Sequence, residues 1–300
     1  MVDITHKNNS LRTAIAQASV LVSSKETIEA ILTKKIPKGD VFEMAKTAGL
    51  FAAKRTSDMI PDCHPLPIEF TSVEYQVENL TIHIKVTIKT IYKTGVEVEA
   101  MHAASVVAIT MYDMLKPVDK GVEIHNIKLL QKKGGKSSYR DSGKGMHAAV
   151  IVCSDSISAG QKEDRAGKAI IEKLEKNEVK VTEYSIIPDE LELIQEKVQA
   201  LQPTNQLIIF TGGTGLSPRD VTPQALEPLL EQRIPGVEEA IRNYGQNRMP
   251  YAMLSRSVVG TLKDSIVIAL PGSTNGAKES MDAIFPAVLH AFKIFKGAQH

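Results

Sequence analysis

Three short stretches in the first half of the chain carry side chains that can bind anions and move protons. They are Lys38-Gly39-Asp40, the run Asp62-Cys63-His64-Pro65-Leu66, and the pair Asp113 and Lys116. Lysines neutralise phosphate charge, and a histidine with an aspartate can transfer protons near neutral pH. The stretches therefore fit a site for a polyphosphate substrate, although Asp113 and Lys116 alone would also fit a surface salt bridge.

Two glycine-rich loops in the second half have the pattern of phosphate-binding loops. The segment Thr211-Gly212-Gly213-Thr214-Gly215 follows the apolar run 207–210, and the segment 271–276 follows the apolar run 265–270. Glycine lets backbone N–H groups approach a phosphate closely, and a following helix N-terminus adds positive potential. Two such loops at one end of a sheet predict two phosphorylated ligands.

Carboxylates also follow the apolar runs. Asp189 comes after one such run, and Asp220 comes shortly after the first glycine-rich loop. Carboxylates in these places can hold Mg²⁺ on nucleotide phosphates, and they can equally be solvated turn residues. Lys136 lies in a Gly-Lys-Ser segment, but Leu130 stands where a Walker motif requires glycine, so no P-loop is predicted there.

The composition is that of a globular chain with a balanced surface charge. Of 300 residues, 43% are hydrophobic and 24% are charged, and the net charge is +1. These values exclude a disordered chain and give no field that would attract duplex DNA or anionic lipid. We see neither a membrane-spanning run nor a secretory signal, so we expect a soluble, cytoplasmic protein. Both cysteines, Cys63 and Cys153, are expected to be reduced thiols.

A polar, glycine-rich stretch at 134–145 separates two halves with different patterns. We therefore predict a domain at 1–140, a linker at 141–146 and a second domain at 147–300. No internal repeat crosses the boundary, which favours a fusion of unrelated domains over a duplication.

The first half is predicted to be an α+β domain with an antiparallel, ferredoxin-like sheet. Ser23 with Glu26, and Asp40 with Glu43, have the spacing of helix N-cap and N3 residues. The hydrophobic patterns predict strands at 68–77, 80–88 and 122–130 and a helix at 97–114.

The second half alternates apolar runs with helical patterns, which predicts a three-layer α/β domain with a mostly parallel sheet. Thr222 and Pro223 are predicted to be the N-cap and first residue of one helix. Ligands of such sheets bind beyond the carboxyl ends of the strands. The predicted strands are 148–153, 179–187, 207–210 and 265–270, and the predicted helices are 165–176, 190–200, 223–231, 236–246 and 275–296.

Seven motifs occur in order across nearly all of residues 1–138. They are Met1-Val2-Asp3-Ile4, Lys38-Gly39-Asp40-Val41-Phe42, Ala53-Lys54-Arg55-Thr56, Cys63-His64-Pro65-Leu66, Lys93-Thr94-Gly95-Val96-Glu97-Val98-Glu99-Ala100, Tyr112-Asp113-Met114 and Gly134-Gly135-Lys136-Ser137. Together they resemble cyclic pyranopterin monophosphate synthase of molybdenum cofactor biosynthesis. The resemblance implies conversion of a cyclised dihydro-GTP, with C8 joined to the ribose 3′ carbon, into cyclic pyranopterin monophosphate and pyrophosphate.

The same resemblance implies the roles of individual residues and requires no cofactor in this half. We expect Lys38 and Lys116 to divide general acid and base work, with Asp113 orienting Lys116. Neighbouring cations are expected to lower the pKa of a lysine toward neutrality. The motifs place catalytic groups at Lys38, His64, Asp113 and Lys116 and substrate-binding groups at Glu97, Glu99 and Lys136.

Eight further motifs occur in order across residues 147–297. They are Cys153-Ser154-Asp155, Glu163-Asp164-Arg165, Ile187-Pro188-Asp189-Glu190, Thr211-Gly212-Gly213-Thr214-Gly215, Arg219-Asp220-Val221-Thr222-Pro223, Pro235-Gly236, Leu254-Ser255-Arg256 and Pro271-Gly272-Ser273. Together they resemble molybdopterin adenylyltransferase, which transfers AMP from Mg-ATP to the terminal phosphate of molybdopterin and releases pyrophosphate. Ala166 departs from the serine that usually follows the Asp-Arg motif.

This second resemblance implies that Asp189 and Asp220 are catalytic and position Mg²⁺, which arrives with ATP. Relatives without the arginine before the aspartate are doubtful catalysts, whereas Arg219 and Asp220 are both present here. The alternative for this half is a non-catalytic pterin-binding or scaffolding module. The residues expected to line the pterin and nucleotide sites are Asp155, Thr211, Gly212, Gly213, Thr214, Gly215, Arg219 and Ser273.

The resemblances also imply a homo-oligomer. The first family forms hexamers with sites at dimer interfaces and the second forms trimers, so both contain a threefold axis. We therefore expect a hexamer that binds pterins and nucleotides. A nucleic acid is not an expected partner, because the basic residues lack interleaved aromatics and the chain has no Trp. The balanced charge and the short apolar runs make a membrane equally unexpected.

Overall fold

The computed structural model describes residues 1–135, 138, 141–295 and 297. The chain divides into two compact units, Met1–Ser138 and Tyr139–His300. In the predicted linker, Gly143 N donates to Asn177 O at 2.9 Å, so this part of the chain is held by the second unit. None of the helices in the described ranges has both the length and the apolar character needed to cross a membrane.

The first unit contains a four-stranded antiparallel sheet in the order β2-β3-β1-β4. The predicted α+β unit with an antiparallel sheet is confirmed, and its narrower ferredoxin-like assignment stays a prediction. In chain order the elements are β1 (Ser10–Leu21), α1 (Lys25–Leu32), α2 (Val41–Lys54), α3 (Thr56–Met59), β2 (Phe70–Glu78), β3 (Thr81–Tyr92), α4 (Glu97–Leu115) and β4 (Glu123–Lys133).

The strand β1 lies inside this sheet, although the sequence did not predict it. Its residues Ala14, Ala16 and Ala18 are fully buried. Alanine is depleted in strands, so the alternation gave no strand signal. The small side chains leave room for the alanine-rich face of α4, where Ala100 and Ala104 are also fully buried.

The caps of α1 and α2 confirm one prediction and correct another. Asp40 is the N-cap of α2, and its Oδ1 accepts the backbone N–H of Glu43 at 3.2 Å. Ser24, not Ser23, is the N-cap of α1. The hydroxyl of Ser23 instead donates to the buried carboxylate of Asp119 at 2.6 Å, because that acid lies beside the end of β1.

The second unit contains a six-stranded sheet in the order β6-β5-β7-β10-β9-β8. Strands β6, β5, β7 and β10 are parallel, and β9 and β8 extend the sheet with antiparallel pairing. The elements are β5 (His147–Cys153), α5 (Asp155–Ser158), α6 (Ala166–Lys176), β6 (Lys180–Ile187), α7 (Leu191–Leu201), β7 (Leu207–Thr211), α8 (Thr222–Leu226), β8 (Gln232–Arg233), α9 (Pro235–Gln246), β9 (Val259–Leu262), β10 (Ser265–Leu270), α10 (Thr274–Ile284) and α11 (Ala291–Phe295).

Two hydrophobic cores cover the two faces of this sheet. On β5, Val150 packs with α6, α9, α10 and α11, whereas Ile151 packs with α7 and α8. Successive strand residues point to opposite faces, so the sheet is the middle of three layers. The predicted three-layer domain with a mostly parallel sheet is therefore confirmed.

Some local predictions in the second unit are wrong, and two short strands were missed. The helix predicted at 275–296 is interrupted after Ile284, because Pro286 has no N–H to continue a helix. Thr222 is the first residue of α8, not its N-cap, and Val221 precedes it. The short strands β8 and β9 were not predicted.

Candidate active sites

The lysine cluster, formed by Lys38, Asp113 and Lys116, lies at the C-terminal end of α4. Lys38 Nζ donates to Asp113 Oδ2 at 2.7 Å and to the Asp113 carbonyl at 2.8 Å. Lys116 Nζ lies 2.8 Å from Asp113 Oδ1. The fold thus brings Lys38, which precedes α2, to the predicted pair Asp113 and Lys116 at the end of α4.

The lysine cluster favours the ionised carboxylate of Asp113 and the charged ammonium of Lys116. Hydrogen bonds from Lys116 and Lys38 lower the pKa of Asp113 to about 2. The hydrogen bond to Asp113 raises the pKa of Lys116. The expectation of a lowered lysine pKa is therefore wrong for Lys116, because the group it contacts is an anion. The cluster contains two lysines and one aspartate, so its formal net charge is positive and suits a phosphate.

We name Cys63, His64, Glu97 and Glu99 the histidine cluster. Glu97 and Glu99 lie in the first turn of α4, Cys63 bonds Glu99, and His64 follows Cys63 in the chain. Cys63 Sγ donates to Glu99 Oε1 at 3.0 Å, and His64 Nε2 lies 2.8 Å from the Val2 carbonyl oxygen. Glu99 is only 3% exposed, and burial raises its pKa. Burial and the bond to Glu99 raise the pKa of Cys63 to about 12, so the thiol stays protonated.

Two cations border the histidine cluster. Lys132 Nζ lies 3.2 Å from Glu97 Oε1. Arg12 Nε donates to the Tyr92 carbonyl at 3.2 Å. Burial lowers the pKa of this guanidinium, and the negative charge of Glu97 partly opposes that effect. Sequence reasoning missed Arg12, because it lies on the unpredicted strand β1. Lys136, predicted to bind substrate, lies outside the described residues.

The helix α4 separates the two clusters. Glu99 and Asp113 lie near opposite ends of this one helix. With a rise of 1.5 Å per residue, the axial distance between their backbones is about 21 Å. A single chain therefore holds the histidine cluster and the lysine cluster apart.

In the second unit, four parallel strands end at one edge of the sheet, in the spatial order β6, β5, β7 and β10. Asp189 follows β6, Asp155 follows β5, and Ser273 follows β10. After β5 the chain forms β6 on one side of β5, and it then forms β7 on the other side. The edge between β5 and β7 is thus a topological switch point, where such sheets bind ligands.

Asp155, Asp189 and Arg219 are joined at this edge. Asp189 N donates to Asp155 Oδ1 at 3.1 Å, and Asp155 N donates to Asp189 Oδ2 at 3.3 Å. Arg219 donates to Asp155 Oδ2 through Nε at 3.0 Å and through Nη2 at 2.7 Å. Asp155 therefore links the other two predicted site residues, Asp189 and Arg219.

Asp189 has surroundings that disfavour its ionised form. Its Oδ1 is buried and has no hydrogen-bond partner among the described residues. Burial raises the pKa of Asp189, and the charges of Asp155 and Asp220 add to the effect. A bound cation would relieve this arrangement, and Asp189 fits Mg²⁺ carried by phosphates, which needs only one or two carboxylates from a protein. Within the described ranges, no group of three or more His, Cys, Asp or Glu side chains could hold a metal.

The glycine-rich loop approaches Asp189 closely. Gly212 and Gly213 have positive φ angles of 104° and 61°. A Cβ on Gly213 would lie 2.6 Å from Asp189 Oδ1, so glycine is required for the approach. Thr211 is fully buried, and its hydroxyl donates to the Pro271 carbonyl at 2.8 Å, which fastens the two glycine-rich loops together.

Asp220 and Ser273 complete this edge. Asp220 Oδ2 accepts the N–H of Ser217 at 2.9 Å and lies 2.9 Å from where a Cβ on Gly215 would stand. Ser273 is the N-cap of α10, and its Oγ accepts the N–H three residues further on at 3.1 Å. Thr214 is buried within the same loop. The second unit thus brings its predicted site residues to one place.

Replacing Asp189 by asparagine is expected to stabilise the protein at neutral pH by about 0.5 to 2 kcal/mol. The pKa of Asp189 is raised above the ordinary 3.8 in the folded state, so its ionisation costs folding free energy. The gain should therefore grow as the pH rises above 3.8 and vanish below it. Thermal unfolding between pH 4 and pH 8 measures it, with exposed Asp264→Asn as the control. A variant less stable than the parent at neutral pH contradicts the expectation.

Comparisons with known proteins cover both units. Residues 1–135 match the MoaC family, and residues 149–290 match the family described as "Probable molybdopterin binding domain". A molybdenum cofactor biosynthesis bifunctional protein of Chlorobaculum tepidum is 41% identical over 301 residues, covering 100% of this chain and 96% of that protein. Its namesake from Synechococcus elongatus is 38% identical over 315 residues, covering 100% and 98%.

A similarity confined to the first half was also found. A cyclic pyranopterin monophosphate synthase of Geobacillus kaustophilus is 48% identical over 143 residues, covering 46% of this chain and 88% of that protein. Relatives of the whole chain and of its first half thus agree with the division into two units. The chain belongs to the family of bifunctional molybdenum cofactor biosynthesis proteins, with a MoaC-family unit followed by a molybdopterin-binding-type unit.

Proposed function

We propose that the first unit converts 3′,8-cyclo-7,8-dihydro-GTP into cyclic pyranopterin monophosphate and pyrophosphate. The name of the similar Geobacillus enzyme supports this reaction. The observation that carries the proposal is the lysine cluster, in which one carboxylate holds two ammonium groups at 2.7 and 2.8 Å. Lys38 and Lys116 divide the acid–base work. The raised pKa of Lys116 keeps its ammonium charged as a counter-ion for phosphate.

We propose further that the complete site of the first unit forms between two copies of the chain. The lysine cluster of one copy then faces the histidine cluster of another, since α4 separates them within one copy. Exposed apolar side chains near the lysine cluster support an interface between copies at this surface. Ile109, Tyr112 and Val118 are 56%, 42% and 49% exposed in the single chain. A hexamer with a threefold axis fits this arrangement, and light scattering that showed a stable monomer would rule it out.

For the second unit, the proposed reaction is transfer of AMP from Mg-ATP to the terminal phosphate of molybdopterin. The proposal is supported by the edge of the sheet at which two glycine-rich loops are joined by a hydrogen bond. The charged residues at this edge are Asp155, Asp189, Arg219 and Asp220. Asp189 and Asp220 would hold Mg²⁺, which supplies charge neutralisation on the phosphates. Positioning and electrostatic stabilisation are the main demands of this chemistry, and the loop amides and Arg219 meet them.

Each activity has a direct assay with the full chain. The first is pyrophosphate and cyclic pyranopterin monophosphate formation from the cyclised dihydro-GTP. The second is pyrophosphate and adenylylated product from molybdopterin, ATP and Mg²⁺. Pterin binding without turnover in the second assay would favour the alternative, a non-catalytic pterin-binding or scaffolding module.

A further inference from the structure

Arg256 connects the glycine-rich loop to the segment that carries Asp220. Its Nε donates to the Gly215 carbonyl at 2.8 Å, and its Nη2 donates to the Asp220 carbonyl at 2.6 Å. Its backbone N–H donates to the Thr214 carbonyl at 2.9 Å. The side-chain partners lie 41 and 36 positions away in the sequence, so these bonds join distant parts of the chain.

The segment 215–220 closes on itself before it meets Arg256. Asp220 N donates to the Ser217 carbonyl at 2.9 Å, and Ser217 N donates to Asp220 Oδ2 at 2.9 Å. These two bonds fix the shape of the turn, whereas the guanidinium binds the carbonyls at both ends of it. Arg256 lies just before β9, so the hydrogen bonds of its guanidinium connect the turn to the sheet.

We infer that Arg256 is a positioning residue for adenylyl transfer, which holds Asp220 and Arg219 in place opposite Asp189. The inference rests on the function proposed for the second unit. Arg256 would not touch the reacting phosphates but would act through the two loops. A guanidinium suits this task because it is always charged and presents several donors in one rigid plane, whereas a lysine ammonium is a flexible point charge.

The test compares Arg256→Met and Arg256→Lys in the full chain, with Arg248→Met as the matched control. Arg248 also places a guanidinium on a backbone carbonyl, that of Tyr244 at 2.6 Å, and stacks on the Tyr244 ring. It therefore controls for the general loss of an arginine that binds backbone. Thermal unfolding of each variant reports its stability separately from its activity.

Two readouts decide the outcome. Amide hydrogen exchange without ligands should be about tenfold faster within 215–220 in Arg256→Met and unchanged there in Arg248→Met. The KM for Mg-ATP should rise and kcat should fall by about 10- to 100-fold in Arg256→Met, with partial recovery in Arg256→Lys. A purely structural role would lower stability while leaving exchange in the segment and both kinetic constants of the folded protein unchanged.

The inference is overturned if exchange within 215–220 is unchanged in Arg256→Met, or if Arg248→Met accelerates it equally. It is also overturned if an active parent enzyme and Arg256→Met share the same KM and kcat. If the parent shows no adenylyl transfer, the proposed function fails and the exchange result alone decides whether Arg256 holds the segment. Should Arg256→Met not fold, Arg256→Lys provides the same comparison with a smaller expected change.

Discussion

Replacing Lys38 by alanine is expected to lower the rate of cyclic pyranopterin monophosphate formation by roughly 10²- to 10⁴-fold. Lys38 Nζ bonds both Oδ2 and the carbonyl of Asp113, so the change removes one proton-transfer group and one support of the carboxylate. The side chain lies outside the core clusters, so the variant should unfold at nearly the parent temperature. Steady-state kinetics and thermal unfolding measure the two effects.

The matched control for this variant is Lys35→Ala. Lys35 is an exposed lysine three positions earlier in the same loop, and its removal changes the net charge equally. Its turnover should stay within about twofold of the parent, because surface charges away from a site contribute little. If Lys38→Ala turned over at the parental rate, or if both variants lost activity equally, the assignment of Lys38 would be wrong.

Replacing Asp220 by alanine is expected to lower adenylyl transfer by about 10³-fold while pterin binding persists. Asp220 adds negative charge beside Asp189, and its Oδ2 is oriented by the N–H of Ser217. Without it, Mg²⁺ on the nucleotide loses one of its proposed ligands, whereas the glycine-rich loops that would bind the pterin phosphate remain. Product formation and equilibrium binding of molybdopterin separate the two effects.

Asp264→Ala is the matched control for the Asp220 variant. Asp264 is an exposed aspartate directly before β10, so it lies at the opposite edge of the sheet from the proposed site. Its loss should change neither activity nor binding. Full activity of Asp220→Ala, or loss of pterin binding together with activity, would contradict the role proposed for Asp220.

Hydrophobic periodicity predicted the elements that bury large apolar side chains. The strand β3 was predicted because Ile82, Ile84 and Ile88 alternate with polar residues, and all three are fully buried. The neighbouring strand β1 uses alanines instead, since α4 packs closely over it. The sequence could not reveal β1 through side-chain size, because the reason for small residues there is a tertiary contact.

The motifs named residues that the fold brings together in the second unit, but they did not show how those residues interact. The pKa of Lys116 is raised, because its hydrogen bond and charge interaction with Asp113 outweigh the effect of desolvation. Arg256 was noticed only as part of a motif, and its bonds to distant carbonyls became visible in the fold. The separation of Glu99 from Asp113 was already implied by the predicted helix 97–114, since a helix of that length keeps its ends apart.

A site shared between copies requires the lysine cluster of one copy and the histidine cluster of another for pterin formation. Co-expression of Lys38→Ala and His64→Ala, with different affinity tags, produces mixed oligomers in which some sites combine two unaltered clusters. Random pairing predicts about one quarter of the parental activity in the mixture, although each variant alone is nearly inactive.

The control is co-expression of Lys38→Ala with Lys116→Ala, which alters the same cluster in every copy and should restore nothing. The decisive measurement is the turnover of the Lys38→Ala and His64→Ala mixture on doubly tagged oligomers. Recovery well above either variant alone is the predicted result. Activity no higher than the mean of the two single variants would contradict a site shared between copies.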